Sequence, residues 1–395
     1  MKYILLVPDG AADLPLPELE DRTPLEAART PYMDDLASRG TVGVVAVTPP
    51  DMYPGSDAAN MALLGYDPRE HYTGRGAVEA AALEIPMAAT DVAFRCSLVS
   101  TDGERLTDYS AGHISTKDAR PLIELAARKL GTPRVHLFPG VSYRHIMLWN
   151  EGPVDVLAFA PHEHMGRALD EILPRGDGES TLRRFIWDSL DLLDGQPINR
   201  RRVGEGLPPA NLLWPWGQGR APRLPAFAAL HGLAGAVVAG VDVVRGLARL
   251  AGLEVVRVPG ATGYLDTDYA GKGRAALAAL HRHPFVMVHV EAPDEAGHSG
   301  SIDEKIKAIE SVDRDVLGTL LHGLKHLDDF RVLVVPDHAT PVSTRGHHIG
   351  PVPYLLFDSR RGPTLRVPFD ERASHERVPR VDEGYRLIGE LFAAS

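Results

Sequence analysis

Several acids and histidines of this 395-residue chain stand at spacings that could hold metal ions beside a nucleophile. Asp294 and His298 lie four positions apart in EAPDEAGHSG (291–300), directly after the apolar run FVMVHV. Asp337 and His338 follow VLVVP, and His347 comes ten residues after Asp337 in TRGHHIGPVP. Asp9 closes KYILLVPD near the N-terminus. Each of these residues alone has an ordinary reading as a helix cap or a surface histidine. Together they offer carboxylate oxygen and imidazole nitrogen without thiolate, a donor set that suits Mn, Zn, Co or Fe rather than a structural zinc site. Six such ligands exceed what one tetrahedral ion takes. They match two ions a few ångströms apart, the arrangement that clamps both oxygens in phosphoryl transfer. Ser56, in MYPGSDAANMALLGYDP (52–68), supplies a hydroxyl that such ions could activate.

The elements that must position these groups are legible in outline. KYILLVPD, FVMVHVEAPD and FRVLVVPD are β-rich runs that each lead to an aspartate. Continuous apolar runs of this length suit strands covered on both faces, as in a parallel sheet between helices. Ligands of open α/β sheets bind beyond the carboxyl ends of the strands, so the three aspartates are expected at one rim. Residues 291–300 read as a loop with two glycines. Ser56 reads as the N-cap of a helix ending near Gly65, where backbone N–H groups and the helix dipole favour phosphate. Ile302, Ile306, Ile309, Val312 and Val316 form one apolar stripe and predict a single helix over 302–324. From about Tyr72 to Arg223 the chain is turn-rich and scattered with basic residues. Residues 76–224 are therefore expected to be an inserted cap, with 1–75 and 225–395 forming the core.

Composition narrows the function classes. The net charge of −11 disfavours nonspecific binding to nucleic acid or to anionic membrane. The single cysteine, Cys96, excludes an internal disulfide and suits a reducing, cytoplasmic setting. No stretch approaches the roughly 20 apolar residues of a membrane span, and the N-terminal apolar run is too short for a signal-peptide core. DYSAG (108–112) lacks the first glycine of a G-x-S-x-G elbow, which argues against a hydrolase triad.

The motifs PDG (8–10), PGSDAAN (54–60), PDEAGHSG (293–300), PDHATP (336–341) and GHHIGPVP (346–353) resemble the metal-site motifs of the alkaline phosphatase superfamily. More closely, they resemble those of the archaeal-type 2,3-bisphosphoglycerate-independent phosphoglycerate mutases. The resemblance extends through YTGRGAVEAAA (72–82), DYSAGHIS (108–115), NLLWPWGQG (211–219) and VPGATGYLDTDYAGKG (258–273). It implies an alkaline-phosphatase-like α/β core, with a mostly parallel sheet between helices, and a smaller inserted α+β cap. It implies interconversion of 3-phosphoglycerate and 2-phosphoglycerate with no 2,3-bisphosphoglycerate, through a phosphoserine on Ser56. A phosphatase or a phosphopentomutase-like phosphotransferase is the alternative on the same core. Two divalent ions are implied, Mn first, with Zn, Co or Mg as substitutes. Asp9, Ser56, Asp337 and His338 would surround one ion, and Asp294, His298 and His347 the other. Lys272 would contact phosphate, and Asp108, His113 and Arg144 would hold the glycerate. The adjacent pair His347-His348 departs from the single histidine usual in that motif; counting back from PVP favours His347.

Overall fold

The computed structural model describes residues 1–326, 329–362, 367–375 and 377–393. The chain divides into two compact units, one made of 1–72 with 223–395 and the other of 73–222.

The first unit is built on an eight-stranded sheet. Its strands are β1 (Lys2–Pro8), β2 (Thr41–Val45), β3 (Gly235–Val238), β4 (Glu254–Val256), β5 (Phe285–Val290), β6 (Phe330–Val334), β7 (Val352–Asp358) and β8 (Arg380–Val381). Their order across the sheet is β4-β3-β5-β1-β6-β7-β2-β8. Among the described strands, β7 runs against the others, and the remaining pairings are parallel. The expected mostly parallel α/β sheet is thus the observed one. The apolar runs are strands because both faces are covered: Ile4 and Leu6 pack on one side, Leu5 and Val7 on the other, and all four are fully buried. The first face rests on helix Pro31–Ala37, helix α2 (Tyr269–Leu280) and the helical stretch from Ile302 to Leu324. Helix α1 (Ser56–Leu63) lies elsewhere in the same unit, against helix Asp242–Leu250.

Two local expectations are corrected. Residues 292–299 form a helix, α3 (Ala292–Ser299), rather than a loop. Pro293 occupies its first turn, where the missing N–H costs nothing, and Gly300 ends it in the left-handed conformation with φ of 75°. The stretch 302–324 is not one uniform helix either. It is α4 (Ile302–Ser311), a wider π-helical turn (Val312–Leu317) and helix Gly318–Leu324. At the π turn the carboxylate of Asp313 accepts hydrogen bonds from the N–H groups of Tyr32 (3.2 Å) and Met33 (2.7 Å), the first turn of a neighbouring helix. The interruption coincides with this tertiary contact.

The second unit is α+β. A central strand, Val92–Thr101, is flanked by antiparallel strands Arg144–Trp149 and Leu212–Gly219, with Leu106–Asp108 and Val135–Val141 also in the sheet. Helices Arg75–Ala82, Thr116–Leu130 and Glu179–Leu193 pack on it. All ten residues of the central strand are buried, Arg95 included. Its guanidinium is paired with the buried carboxylate of Glu79 at 2.9 Å, which Arg75 also engages. Cys96 lies in this strand with no exposure, and burial pushes its thiol far above the reactive range. Among the described residues, no helix of either unit is long and apolar enough to cross a membrane.

Candidate functional site

β5, β1 and β6 are adjacent and parallel, so their carboxyl ends open on one rim. Asp9 follows β1 directly, Asp337 lies in the loop after β6, and Asp294 stands in the first turn of α3 just after β5. In α3 the four-residue step from Asp294 to His298 is one helical turn, which puts both side chains on one face. The chain can make this approach because Gly10 turns through φ of +62°, with its N–H donating to Asp337 Oδ1 at 3.2 Å. A β-carbon on Gly10 would lie 2.7 Å from Asp294 Cα and Oδ1. Gly10→Ala should therefore cost about 1–2 kcal/mol for the left-handed backbone alone. It should also displace Asp294 and weaken divalent-ion binding at least about ten-fold, by the scale seen when ligand supports are lost. Thermal unfolding and a Mn²⁺ titration of the variant would check both effects.

Two clusters of donor atoms form at the rim. In the first, Asp294 Oδ2 is 3.2 Å from His298 Nε2, Asp294 Oδ1 is 3.5 Å from His347 Nε2, and the two Nε2 atoms are 3.1 Å apart. His298 Nδ1 lies 2.9 Å from the carbonyl oxygen of Arg345, so it holds an N–H there and Nε2 faces the cluster. Burial alone would lower the His298 pKa, but Asp294 drives it up to about 9. His347 joins this cluster, whereas His348 is exposed. In the second, His338 Nε2 lies 3.3 Å from Ser56 Oγ, 3.5 Å from Asp9 Oδ1 and 3.6 Å from Asp337 Oδ2. Burial holds His338 neutral, with a pKa of about 4.

These residues fit divalent ions. Metal–ligand bonds of roughly 2.0–2.2 Å put neighbouring ligand atoms roughly 3.0–3.5 Å apart, close to the distances in both clusters. Both oxygens of Asp9 are fully buried and lack a hydrogen-bond partner. Burial, followed by the neighbouring carboxylates of Asp337, Glu291 and Asp294, raises the Asp9 pKa well above the usual range. Buried carboxylates at this density need cations beside them to remain ionised. Among the described residues, three overlapping groups could each hold an ion: Asp294–His298–His347, Asp9–Asp294–His338 and Asp9–His289–Asp337.

Ser56 is the first residue of α1, not its N-cap. Gly55, with φ of −80° and ψ of 151°, is the cap and offers no side chain to the helix end, where Asp57 Oδ1 accepts from the N–H of Ala58 at 2.9 Å. The Ser56 hydroxyl is therefore left to face His338 instead of satisfying its own helix. One turn on, Asn60 donates to Ser56 O at 2.8 Å and to Asp337 Oδ2 at 2.9 Å, tying the serine's helix to the loop after β6. Beside the serine, Asp57 accepts a hydrogen bond of 2.5 Å from the Tyr72 hydroxyl.

Lys272, in the first turn of α2, is fully buried and donates to the carbonyl of His289 at 3.1 Å. Burial pushes its pKa down to about 8, opposed by Glu291 and Asp9. Asp108, His113 and Arg144 belong to the second unit. There the Tyr143 ring has His113 on one side (6.1 Å between centroids) and the Arg144 guanidinium at 5.5 Å. Asp108 Oδ1 accepts from the N–H and hydroxyl of Ser110 at 2.7 and 2.8 Å.

Sequence reasoning missed His289, Glu291, Asn60, Thr340 and Lys305. His289 passed as a member of an apolar strand, although a histidine in such a run was itself a signal. Asn60 sits one turn after Ser56, on the same helix face, and could have been found from that spacing. Thr340 gives its hydroxyl to Asp294 Oδ1 at 2.5 Å and lies 3.2 Å from His338 Nδ1, bridging the two clusters.

A mostly parallel α/β sheet with carboxylate–imidazole clusters at its carboxyl rim, beside a serine at a helix N-terminus, defines a metal-dependent phosphotransferase. Residues 37–199 match the family model described as 2,3-bisphosphoglycerate-independent phosphoglycerate mutase. The chain is 45% identical over 395 residues to the 2,3-bisphosphoglycerate-independent phosphoglycerate mutase of Methanosarcina mazei, covering 99% of this chain and 100% of that protein. It is 45% identical over 393 residues to a probable enzyme of the same name from Geobacter sulfurreducens, covering 98% of each. Among solved structures, a protein from Pyrococcus horikoshii superposes with a TM-score of 0.81 at 27% identity, over 100% of this chain and 99% of that one. The cofactor-independent phosphoglycerate mutase of Thermoplasma acidophilum gives 0.61 at 26% identity, over all of both chains. The chain belongs to the 2,3-bisphosphoglycerate-independent phosphoglycerate mutase family.

Proposed function

We propose that the protein interconverts 3-phosphoglycerate and 2-phosphoglycerate without 2,3-bisphosphoglycerate, through a phosphoserine at Ser56. The observation that carries this reading is the Ser56 hydroxyl, free of any capping bond and 3.3 Å from His338 Nε2 at the edge of the Asp9–Asp337 cluster. Asp9, Ser56, Asp337 and His338 would hold one divalent ion, and Asp294, His298 and His347 a second. Mn is the first choice, with Zn, Co and Mg as alternatives. Bound there, such ions withdraw charge from phosphate oxygens and lower the pKa of the serine hydroxyl.

The side chains then divide the work. Ser56 Oγ forms a bond to phosphorus as the bond from phosphorus to the glycerate oxygen breaks. The proton that Ser56 gives up balances the one taken by the departing oxygen. Lys272 and the N-terminal N–H groups of α1 offset phosphate charge. The glycerate presents its other hydroxyl to the phosphoserine and takes the phosphoryl group back. Retention of glycerate separates this reaction from a phosphatase, because water is the competing acceptor. The reading sets the reaction in the cytoplasm, which the single, buried cysteine suits.

Purified protein given 3-phosphoglycerate and Mn²⁺, with no bisphosphoglycerate, should form 2-phosphoglycerate in a coupled assay. Formation should stop on chelation and return with Mn²⁺. Release of free phosphate without the isomer would replace this reading with a phosphatase on the same core.

A further inference from the structure

Behind Asp9, away from Ser56, lies a second imidazole. His289 is in β5 and fully buried, paired in register with Val7, two residues before Asp9. Its Nε2 is 3.1 Å from Asp9 Oδ2, the oxygen not directed at His338. That separation does not reflect a formed hydrogen bond, since neither Asp9 oxygen has a hydrogen-bond partner. Asn60 does not occupy Nε2 either. Its amide nitrogen is 3.5 Å away, and its two hydrogens already serve Ser56 O and Asp337 Oδ2. On the other edge of the ring, His289 Nδ1 lacks a hydrogen-bond partner and faces Glu291 Oε2 at 3.8 Å, itself a buried oxygen without one. A metal-bound histidine commonly has this setting: one nitrogen turned toward carboxylates that share the ion, the other toward an outer carboxylate that orients the ring. The donor atoms of Asp9, His289 and Asp337 lie within 4.8 Å of one another, and all three side chains are buried.

We propose that Asp9, His289 and Asp337 form a divalent-cation position, with His289 Nε2 as a direct ligand and Glu291 as the outer partner of its imidazole. This rests on the reading of the rim as a divalent-cation centre, and it adds a ligand that the Ser56–His338 side does not use. The ligand set has one nitrogen and two carboxylates, which suits Mn²⁺ or Co²⁺.

The test uses the full chain, stripped of metal and titrated with Co²⁺ in the absence of substrate. Wild type is compared with His289→Ala and His289→Gln. Expected is the loss of one bound Co²⁺ per chain, or its binding at least ten-fold more weakly, with a change in visible absorption per bound ion as an imidazole nitrogen is lost. Unchanged stoichiometry and spectrum would overturn the proposal. So would weaker binding with an unchanged spectrum, since His289 would then only prop Asp9. Wild type that binds no Co²⁺ would overturn the cation-centre reading itself and this proposal with it. Should the variants fail to fold, wild-type crystals soaked in Mn²⁺ decide the matter. An anomalous peak bonded to His289 Nε2 is expected, and its absence overturns the proposal.

Discussion

Ser56→Ala is expected to lower kcat for phosphoglycerate isomerisation by a factor on the order of 10⁴ or more, the scale seen when a covalent catalyst loses its nucleophile. No phosphoserine should be detectable by mass spectrometry after incubation with substrate. The fold should hardly notice the change. Gly55, not Ser56, caps α1, and the serine side chain bonds no helix N–H, so the usual cost of about 1 kcal/mol for losing a capping side chain does not arise. Asp9, Asp337 and His338 also remain to hold an ion, so metal binding should weaken without being lost. An intact melting transition and retained Mn²⁺ binding, together with a collapsed rate, would isolate the chemistry to Oγ. Turnover within ten-fold of wild type would rule Ser56 out as the phosphoryl acceptor.

Lys305→Ala is expected to produce the largest loss of stability, about 3–5 kcal/mol, because it leaves a buried charge without its partner. Lys305 projects from α4 into the first unit, and neither its side chain nor that of Asp13 has any exposure. Its ammonium donates to Asp13 Oδ2 at 2.7 Å, Thr340 O at 2.7 Å and Ala12 O at 3.1 Å, which uses all three of its hydrogens. Burial pulls the Lys305 pKa down, and Asp13 opposes the shift. The effect should reach the site as well. Thr340, whose carbonyl Lys305 holds, gives its hydroxyl to Asp294. Urea unfolding read on the first unit would measure the loss, and a Mn²⁺ titration would measure the loosened site. A double variant, Lys305→Met with Asp13→Leu, should recover most of the stability, because replacing both members of a buried pair removes the unpaired charge. If the double variant proved as unstable as the single one, packing rather than charge would be the cause.

Part of the candidate site was legible from sequence because its signals are local. An apolar run followed within a few positions by an aspartate marks a strand leading to a rim, and glycine beside serine before an alanine-rich segment marks a helix start. Asp9, Asp294, Asp337 and Ser56 carry such signals, whereas the ligand roles of His298, His338 and His347 were implied by the resemblance of their motifs. Local signals failed where a helix could pass for a loop. At 291–300 the two glycines outweighed Pro293, although proline in a first helical turn was the better guide. They failed again at Ser56, where the capping preference of serine was overridden by the extended backbone at Gly55.

By itself the sequence marked the runs of β1, β5 and β6 as strands of a mostly parallel sheet and showed which donor atoms are available. These follow from burial periodicity and side-chain chemistry, which each segment carries with it. The tertiary structure alone decided which of those atoms meet. Parallel pairing of β1 with β5 and β6 joins residues about 280 and 330 positions away from the N-terminal strand, and one step of register would turn every side chain to the other face. That pairing puts His289 behind Asp9. Likewise, only the packing of α4 sends Lys305 inward, from the helix whose isoleucines had marked its core face. Partners this distant in sequence leave no local trace, because their distances are set by strand register and helix packing rather than by the preferences of either segment.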